Sequence, residues 1–213
     1  MQEEAGFLRV ELVVPSSIPP VSLLCVSDTH DQQAYMPNAL PKADILIHAG
    51  DFTCYGQRDE VQGFQQWTQQ LLDNGTVKEV VFVAGNHDVS MELKARIPAA
   101  LRAQQELKRC LVERPHTHYM EDESSTVMGV TFYGSPWTSR CGRDWGFQSL
   151  DTDDPSRMSP GEKCLGERFA AIPDGIDVLV THQPPFGQGD TDTHKRTGSV
   201  MLQQAVERSR PAL

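Results

Sequence analysis

The residues that decide the fold are 47–53, which read Ile47-His48-Ala49-Gly50-Asp51-Phe52-Thr53. The short and mostly apolar run that leads into them, Asp44–Ile47, is typical of a buried parallel strand. Gly50 lets the backbone turn sharply and leaves the carboxylate of Asp51 at the C-terminal end of that strand. Because ligands bind at this end of the strands in open α/β sheets, we expect Asp51 to lie in a functional site.

Three other predicted strands end in the same way. The apolar runs at 21–26, 80–84 and 176–180 are each followed by polar residues with metal-ligating atoms. Helical periodicity follows the strands at 44–47 and 80–84, and this alternation indicates βαβ units and a largely parallel sheet. We therefore expect the strand ends to converge on Asp51. The side chains that follow these three strands are Asp28, His30, Asn86, His87 and His182.

Composition limits the class of protein. A chain of 213 residues is long enough for one sizeable core and does not require a second. Its 29 acidic and 19 basic residues give a formal net charge of -10, which argues against extended nucleic-acid binding. A small anionic substrate remains compatible with this charge, because a bound metal supplies local positive charge.

The cysteines and the N-terminus bear on the cellular compartment. The five cysteines are widely spaced, odd in number and contain no CxxC pair, which predicts reduced thiols. The N-terminus lacks the basic and apolar regions of a secretory signal. No apolar run approaches the roughly 20 residues of a membrane span. We expect a cytoplasmic protein with no membrane contact.

The chain is expected to form one domain. Residues 1–20 are predicted to hold an N-terminal strand and a proline-rich linker of the same domain, and residues 21–213 its main part. A hairpin is predicted at 118–133 around the acidic turn 121–125, and residues 211–213 could begin a further strand. The predicted helices are 57–72, 91–112 with an interruption at Pro98, 161–171 and 199–209.

The predicted site contains the ligand types of a metal centre. Hard and borderline divalent ions prefer carboxylates, amide oxygens and imidazoles, and none of these residues is a soft thiolate. A site with two metals needs one ligand that bridges ions about 3.5–4 Å apart, and a carboxylate can do so. Asp51 lies between the other segments and is the natural bridge. Each fragment alone is weak evidence, but all four strand ends in this order form a specific signal.

On these residues the chain resembles the calcineurin-like metallophosphoesterases. The matching motifs are Asp28-x-His30, Gly50-Asp51, Gly85-Asn86-His87-Asp88 and the later His182. Further segments resemble the metallophosphoesterase-domain-containing (MPPED-like) branch of this family. They are residues 27–30, 48–53, 84–87, 133–138, 145–147 and 181–185.

The resemblance implies a fold and a role for each residue. The implied fold is a four-layer α/β/β/α sandwich, in which two packed β-sheets are flanked by helices. His87 would protonate the leaving oxygen, and Asp88 would orient the ring of His87. The implied ligands of the first metal are Asp28, His30 and Asp51, and those of the second are Asp51, Asn86 and His182.

The implied reaction is hydrolysis of a small phosphate ester by a hydroxide that bridges two divalent ions. A phosphodiester is the expected substrate, with cyclic nucleotides among the candidates. Mn²⁺ is the expected metal, and Fe and Zn are alternatives because the ligand set suits them too.

One family motif has no counterpart. The family signature ends with a Gly-His-x-His segment, which does not occur here, and the only histidine after His182 is His194 in a polar loop. We therefore expect a C-terminally truncated form with an incomplete fold. The alternatives are a catalytically weak or inactive isoform that acts as a binding or regulatory protein, and a single-metal module that uses Asp28, His30 and Asp51.

Other residues with functional chemistry have simpler interpretations. His48 is expected to pack or to support the site rather than to bind a metal. His116 and His118 have metal-like spacing, but they border the edge of the predicted hairpin and no carboxylate stands in motif order with them, so we expect surface residues. His194 is expected to be solvated. Trp137 and Trp145 either line a nucleobase pocket or pack a loop over the end of the sheet.

Overall fold

A computed structural model describes residues 7–12, 20–36, 40–94, 98–192 and 195–213. Its first half consists of β1 Phe7–Leu12, β2 Val21–Val26, β3 Ile45–His48, α1 Arg58–Asp73, β4 Glu79–Phe82, α2 Pro98–Val112 and β5 Thr117–Tyr119. Its second half consists of β6 Glu123–Val127, β7 Val130–Ser135, β8 Thr138–Ser139, β9 Gln148–Ser149, α3 Leu165–Phe169, β10 Val178–Thr181, β11 Thr191–Asp192, β12 Lys195–Arg196 and α4 Val200–Ser209.

The strands form two main sheets. The first has the order β1-β2-β3-β4-β5, in which β2 to β5 run parallel and β1 is an antiparallel edge strand. The second has the order β10-β7-β6, with β10 parallel and β6 antiparallel to β7. The largely parallel arrangement of the first sheet confirms the prediction from the βαβ pattern. β8 pairs with β9 and β11 with β12 in short two-stranded sheets.

The two sheets pack face to face through alternate residues of their strands. Successive side chains of a strand point to opposite faces, so every second residue reaches the layer between the sheets. The described residues of this layer include a cluster of buried apolar side chains. It contains Leu23, Ile45, Ile47 and Val81 from the first sheet and Val130, Phe132, Val178 and Val180 from the second.

Helices cover the outer face of each sheet. α1 buries Val61, Phe64, Trp67 and Leu71, and α2 adds Leu107 and Leu111. On the second sheet, α3 and α4 bury Leu165, Phe169, Leu202 and Ala205. The order helix–sheet–sheet–helix confirms the predicted four-layer α/β/β/α fold. No helix of the described ranges is long and apolar enough to cross a membrane.

The predicted hairpin at 118–133 is wrong. Residues 117–119 form β5, which pairs with β4 in the first sheet, and residues 123–125 of the acidic segment lie in β6 of the second. The hairpin joins β6 to β7, and its turn is Met128-Gly129, where φ is 51° and 83°. Two successive positive φ values are the requirement of a two-residue type I′ turn. The Met-Gly pair was therefore the turn signal.

Three predicted helix boundaries change. α2 begins at Pro98 rather than being interrupted there, because proline suits the first turn of a helix. α3 is shorter than predicted, whereas α4 begins after Ser199, whose hydroxyl accepts a hydrogen bond from the amide of Leu202.

The amides of Ala212 and Leu213 donate to the carbonyl of Asp177, so the final residues run beside β10. His194 and the proline-rich residues 15–19 lie outside the described residues.

Candidate metal centre

The loops that follow β2 and β3 are joined by backbone hydrogen bonds. The amide of Asp28 donates to the carbonyl of Gly50 at 3.0 Å, and that of His30 to the carbonyl of Asp51 at 3.0 Å. A third bond runs from Asp31 to the carbonyl of Phe52 at 3.1 Å. The first two predicted strand ends are therefore one continuous unit.

The backbone of this unit is strained at three residues with ligand atoms. Asp28, His30 and Asp51 have φ values of 54°, 42° and 54°, in the left-handed region that residues with a Cβ rarely adopt. Such strain persists only where the surrounding structure holds it, as the three loop-to-loop hydrogen bonds do here, and it concentrates at functional sites. The strained backbone turns these three side chains toward one another.

Glycines allow the strand ends to approach closely. A Cβ at Gly50, where φ is 102°, would lie 2.6 Å from Nδ1 of His182 and 2.9 Å from the carbonyl oxygen of Ala84. A Cβ at Gly85 would lie 2.6 Å from the backbone nitrogen of Asp51 and closer still to its carboxylate. These distances are shorter than any real Cβ contact, so the site requires both glycines.

Asp51 occupies the centre of the cluster. Its side chain is almost fully buried, with one oxygen, Oδ2, 3.9 Å from Nε2 of His30 and the other, Oδ1, 3.5 Å from Nε2 of His182. Among the residues that the structure describes, two groups could hold a metal ion, and Asp51 belongs to both. One contains His30, Asp51 and His87, the other Asp28, Asp51 and His182, with the ligand atoms of each within 4.8 Å of one another.

The ring of His182 is oriented by the backbone. Its Nδ1 lies 3.0 Å from the carbonyl oxygen of Ala49. Since a carbonyl only accepts, Nδ1 carries a hydrogen, and in the tautomer that binds a metal Nε2 carries the lone pair. Nε2 lies 3.1 Å from Oδ1 of Asn86, which is also an acceptor. Two acceptors that face each other are the arrangement expected of ligands around a shared cation.

His87 is oriented in the same way but by a different loop. Its Nδ1 lies 2.7 Å from the carbonyl oxygen of Cys54, which leaves Nε2 free. The ring meets that of His30 edge-on at 4.7 Å. The sequence assigned His87 a place beside the metals. The structure brings it within ligand distance of His30 and Asp51.

The expected contact between Asp88 and the ring of His87 requires correction. The buried carboxylate of Asp88 accepts hydrogen bonds from the amide of Thr53 at 2.9 Å, its hydroxyl at 2.7 Å and the amide of Gly85 at 2.8 Å. Burial and the charge of Asp51 raise the pKa of Asp88. Asp88 therefore fastens the loop after β3 to the loop after β4, while Cys54 orients the imidazole.

The donor set fits divalent metals. The predicted ligands Asp28, His30, Asp51, Asn86 and His182 supply two carboxylates, two imidazoles and an amide oxygen at one end of the two sheets. The thiol of Cys54 donates to the carbonyl of His30, and no thiolate enters either group of described residues. This mixture suits Mn, Fe and Zn.

His48 has the packing role that the sequence predicts. His48 is fully buried among Phe52, Phe64 and Trp67, its Nε2 lies 3.0 Å from the hydroxyl of Thr29, and burial lowers its pKa to about 3. It packs, as expected, in neutral form.

His116 is exposed, as predicted, and His118 is half-buried, and the two share a carboxylate partner. Each lies 2.9 Å from one oxygen of Glu79. Glu79 is the first residue of β4, and Val80 stands opposite Thr117 in the parallel pair β4–β5. The partner is remote in sequence, so only the strand register could have revealed it.

The two tryptophans separate into different roles. Trp137 is buried, edge-on to Phe147, with the guanidinium of Arg168 3.1 Å from the centre of its ring. Trp145 is half-buried and stacks on the imidazole of His87, with ring centres 3.8 Å apart. Loop packing therefore describes Trp137, whereas Trp145 lies in the site.

A cleft opens beside the cluster. It has a volume of about 560 Å³, a size typical of sites for small molecules. Three of the predicted ligands and two arginines are among the residues that line it: Asp28, Asn86, His182, Arg140 and Arg196.

Comparison with known proteins assigns the family. Residues 21–206 match the family model of the calcineurin-like phosphoesterases. The chain belongs to this family. Calcineurin-like phosphoesterases are metal-dependent hydrolases of phosphoesters that bind two divalent ions, in agreement with the two groups that share Asp51.

Similar proteins point to one branch of the calcineurin-like phosphoesterases. The chain is 32% identical to human metallophosphoesterase domain-containing protein 1 over 87% of its length, covering 56% of that protein. It is 30% identical to UPF0046 protein T07D4.2 of Caenorhabditis elegans over 95% of its length, covering 52% of it. These similarities match the MPPED-like resemblance. The chain spans about half the length of the curated relatives it matches.

Proposed function

We propose that this calcineurin-like phosphoesterase hydrolyses a small phosphodiester, with cyclic nucleotides among the candidates, and that Mn²⁺ is its metal. The observation that carries the proposal is that the buried Asp51 presents a different carboxylate oxygen to each of two imidazoles, His30 and His182. A carboxylate in this position is the bridging ligand that a pair of divalent ions requires.

The proposed ligands follow the strand ends. Asp28, His30 and Asp51 would hold one ion, and Asp51, Asn86 and His182 the other. When bound, the two ions supply positive charge to the phosphate and lower the pKa of water. The chain itself orients the imidazoles through backbone carbonyls, as the 3.0 Å contact of His182 with Ala49 illustrates.

His87 is the proposed proton donor to the leaving oxygen. Its Nδ1 is held by the carbonyl of Cys54 at 2.7 Å, so only Nε2 can exchange a proton with a substrate. Asp88 has a supporting place in this proposal. Asp88 accepts hydrogen bonds from Thr53 and so holds the loop that carries Cys54. Its effect on His87 is therefore indirect.

The proposed substrate is small. The cleft of about 560 Å³ admits a nucleotide-sized ester, while a net charge of -10 disfavours polymeric nucleic acid. We place the protein in the cytoplasm, a proposal supported by five free cysteines. Residues 1–20 are proposed to belong to the same domain as residues 21–213.

The test is Mn²⁺-stimulated hydrolysis of bis(4-nitrophenyl) phosphate by the purified chain, with 4-nitrophenyl phosphate as the monoester comparison. Asp51→Asn tests the bridge. Asp31→Asn is the matched control, because this exposed carboxylate also has a positive φ and lies outside both ligand groups. We expect diester hydrolysis by the chain and the control only. Equal rates for the chain and Asp51→Asn would refute the proposal.

The second candidate is a weak or inactive protein that binds metal or partners. The observation that favours it is that no Gly-His-x-His occurs within the 213 residues, so two imidazoles of the family site are not supplied by them. Calorimetric titration with Mn²⁺ distinguishes the two. Metal binding without any hydrolysis supports the second candidate, and Mn²⁺-dependent turnover excludes it.

A further inference from the structure

The imidazole of His87 is held on three sides. The indole of Trp145 stacks on it with ring centres 3.8 Å apart and planes 27° apart. The ring of His30 meets it edge-on at 4.7 Å, and the carbonyl of Cys54 lies 2.7 Å from Nδ1. These contacts restrict both the tilt and the rotation of the ring and leave Nε2 as its one free polar atom.

Trp145 is itself anchored to the site. The amide of the next residue, Gly146, donates to the carbonyl of Asn86 at 2.8 Å, which fixes the tryptophan loop to the residue before His87. Gln148 donates to the carbonyl of Trp145 at 3.0 Å. The ring of Tyr55, in the loop after β3, stacks nearly parallel to the indole, with ring centres 6.1 Å apart and planes 17° apart. The half-buried indole is therefore not a free surface aromatic.

The loop that supplies the Cys54 carbonyl is also held in place. The buried carboxylate of Glu60 accepts hydrogen bonds from the amides of Cys54, Tyr55 and Gln57 at 3.1, 3.1 and 2.7 Å. Glu60 thus fixes the loop that supplies the Cys54 carbonyl and Tyr55. Two loops from different parts of the chain converge on one imidazole.

We propose that Trp145 is a positioning residue for His87, and that its indole keeps Nε2 directed at the oxygen of the leaving group. The inference rests on the proposed function of His87 as proton donor. In that step the bond between phosphorus and the leaving oxygen breaks and the electron pair stays on the oxygen. The oxygen takes the Nε2 proton of the imidazolium form of His87, while the Nδ1 hydrogen stays hydrogen-bonded to the Cys54 carbonyl, and Nε2 regains a proton from solvent. Water supplies the new oxygen on phosphorus and loses a proton to solvent.

This role has a consequence that general destabilisation lacks. A leaving group that is a weak base departs without a proton, whereas a basic one needs a well-aligned acid. Loss of the indole should therefore slow hydrolysis of basic leaving groups selectively.

The experiment measures kcat/KM with Mn²⁺ for methyl aryl phosphates whose aryl group ranges from 4-nitrophenyl to phenyl. Trp145→Ala removes the stack and Trp145→Phe retains an aromatic face. Trp137→Phe is the control, since this tryptophan packs on Phe147 and Arg168. We expect Trp145→Ala to lose roughly 100-fold on the phenyl ester and under about 3-fold on the 4-nitrophenyl ester. For Trp145→Phe and Trp137→Phe, kcat/KM on both esters should stay close to that of the parent chain. An equal loss on both esters would overturn the role.

A second measurement does not depend on turnover. The ring current of the indole should shift the Hε1 NMR resonance of His87 upfield, and a His87→Gln variant identifies that resonance by its disappearance. We expect the shift in the parent chain and in Trp145→Phe, and its loss in Trp145→Ala. An unshifted resonance in the parent chain would overturn the stack. If the shift is present but no ester is hydrolysed, the proposed function fails and the stack stands.

Discussion

Oδ1 of Asp51 lies 3.5 Å from Nε2 of His182, although the two residues follow strands of different sheets. Asp51 follows β3 in the first sheet, and His182 follows β10 in the second. The candidate metal centre therefore spans the interface between the sheets. The apolar layer that joins the sheets also sets the distance between these two ligands.

Replacement of Asp51 should remove both metal sites. We expect Asp51→Asn to lower the metal content per chain to near zero, because this carboxylate is common to both ligand groups. Asparagine tolerates the positive φ and preserves the volume, so the fold should survive. Metal analysis after dialysis against Mn²⁺ is the measurement. Asp31→Asn should bind metal as the parent chain does, and retention of one ion per chain in Asp51→Asn would contradict a bridging role.

An added methyl group at Gly85 should separate the strand ends. The Cβ of Gly85→Ala would overlap the Asp51 carboxylate and lie 2.6 Å from its backbone nitrogen. We expect Mn²⁺ affinity to fall by at least about tenfold, since ligand positions must hold within a few tenths of an ångström. Titration calorimetry measures this. Gly75→Ala is the control, because a Cβ there meets nothing within 4 Å and the strain that alanine adds at a φ of 69° falls in the turn after α1 rather than at a strand end. Equal affinity in both variants would refute the close-approach argument.

The buried carboxylate of Glu60 should stabilise the loop that holds Cys54. Glu60→Ala leaves three backbone amides without their acceptor, which should lower the free energy of unfolding by about 2–3 kcal/mol. The neighbouring, exposed Asp59 offers a control, and Asp59→Ala should cost about 0.5 kcal/mol. Urea unfolding compares the two. A similar small cost for both would show that the loop does not depend on Glu60.

Asp44 should make stability depend on pH in the acidic range. A hydrogen bond from Lys78, together with bonds from Ser22, lowers the pKa of Asp44 to about 2. Because the folded pKa lies below the unfolded value of about 3.9, the stabilisation is present above about pH 4 and is lost as the pH falls toward 2.

The measurement for Asp44 is urea unfolding of the parent chain and Asp44→Asn between pH 6 and pH 2. We expect a difference of about 1 kcal/mol at pH 6, modest because Lys78 is exposed, that shrinks toward the acid end. A difference that grows as the pH falls would reverse the assigned sign.

Residues near one another in sequence were predictable. Alternating and continuous apolar runs located β2, β3, β4 and β10, and helical spacing located α1 and α4. The same runs indicated which polar residues stand at strand ends, and so the ligand candidates around Asp51. These are local properties, because a strand or helix buries a periodic set of its own side chains.

The contacts that the sequence did not reveal join residues that are far apart along the chain. The carboxylate partner of His116 and His118 is Glu79, and the group that orients His87 is the carbonyl of Cys54 rather than its neighbour Asp88. A strand register or a loop crossing decides such contacts, and neither leaves a periodic trace in the sequence.

The sequence by itself therefore determined the fold class, the family and the residues that end four strands around Asp51. Only the tertiary structure decided that the fourth strand lies in a second sheet, that Asp51 presents a different oxygen to His30 and His182, and that Trp145 stacks on His87. The physical reason is that periodic burial is encoded locally, whereas the meeting of loops depends on how the two sheets pack on each other.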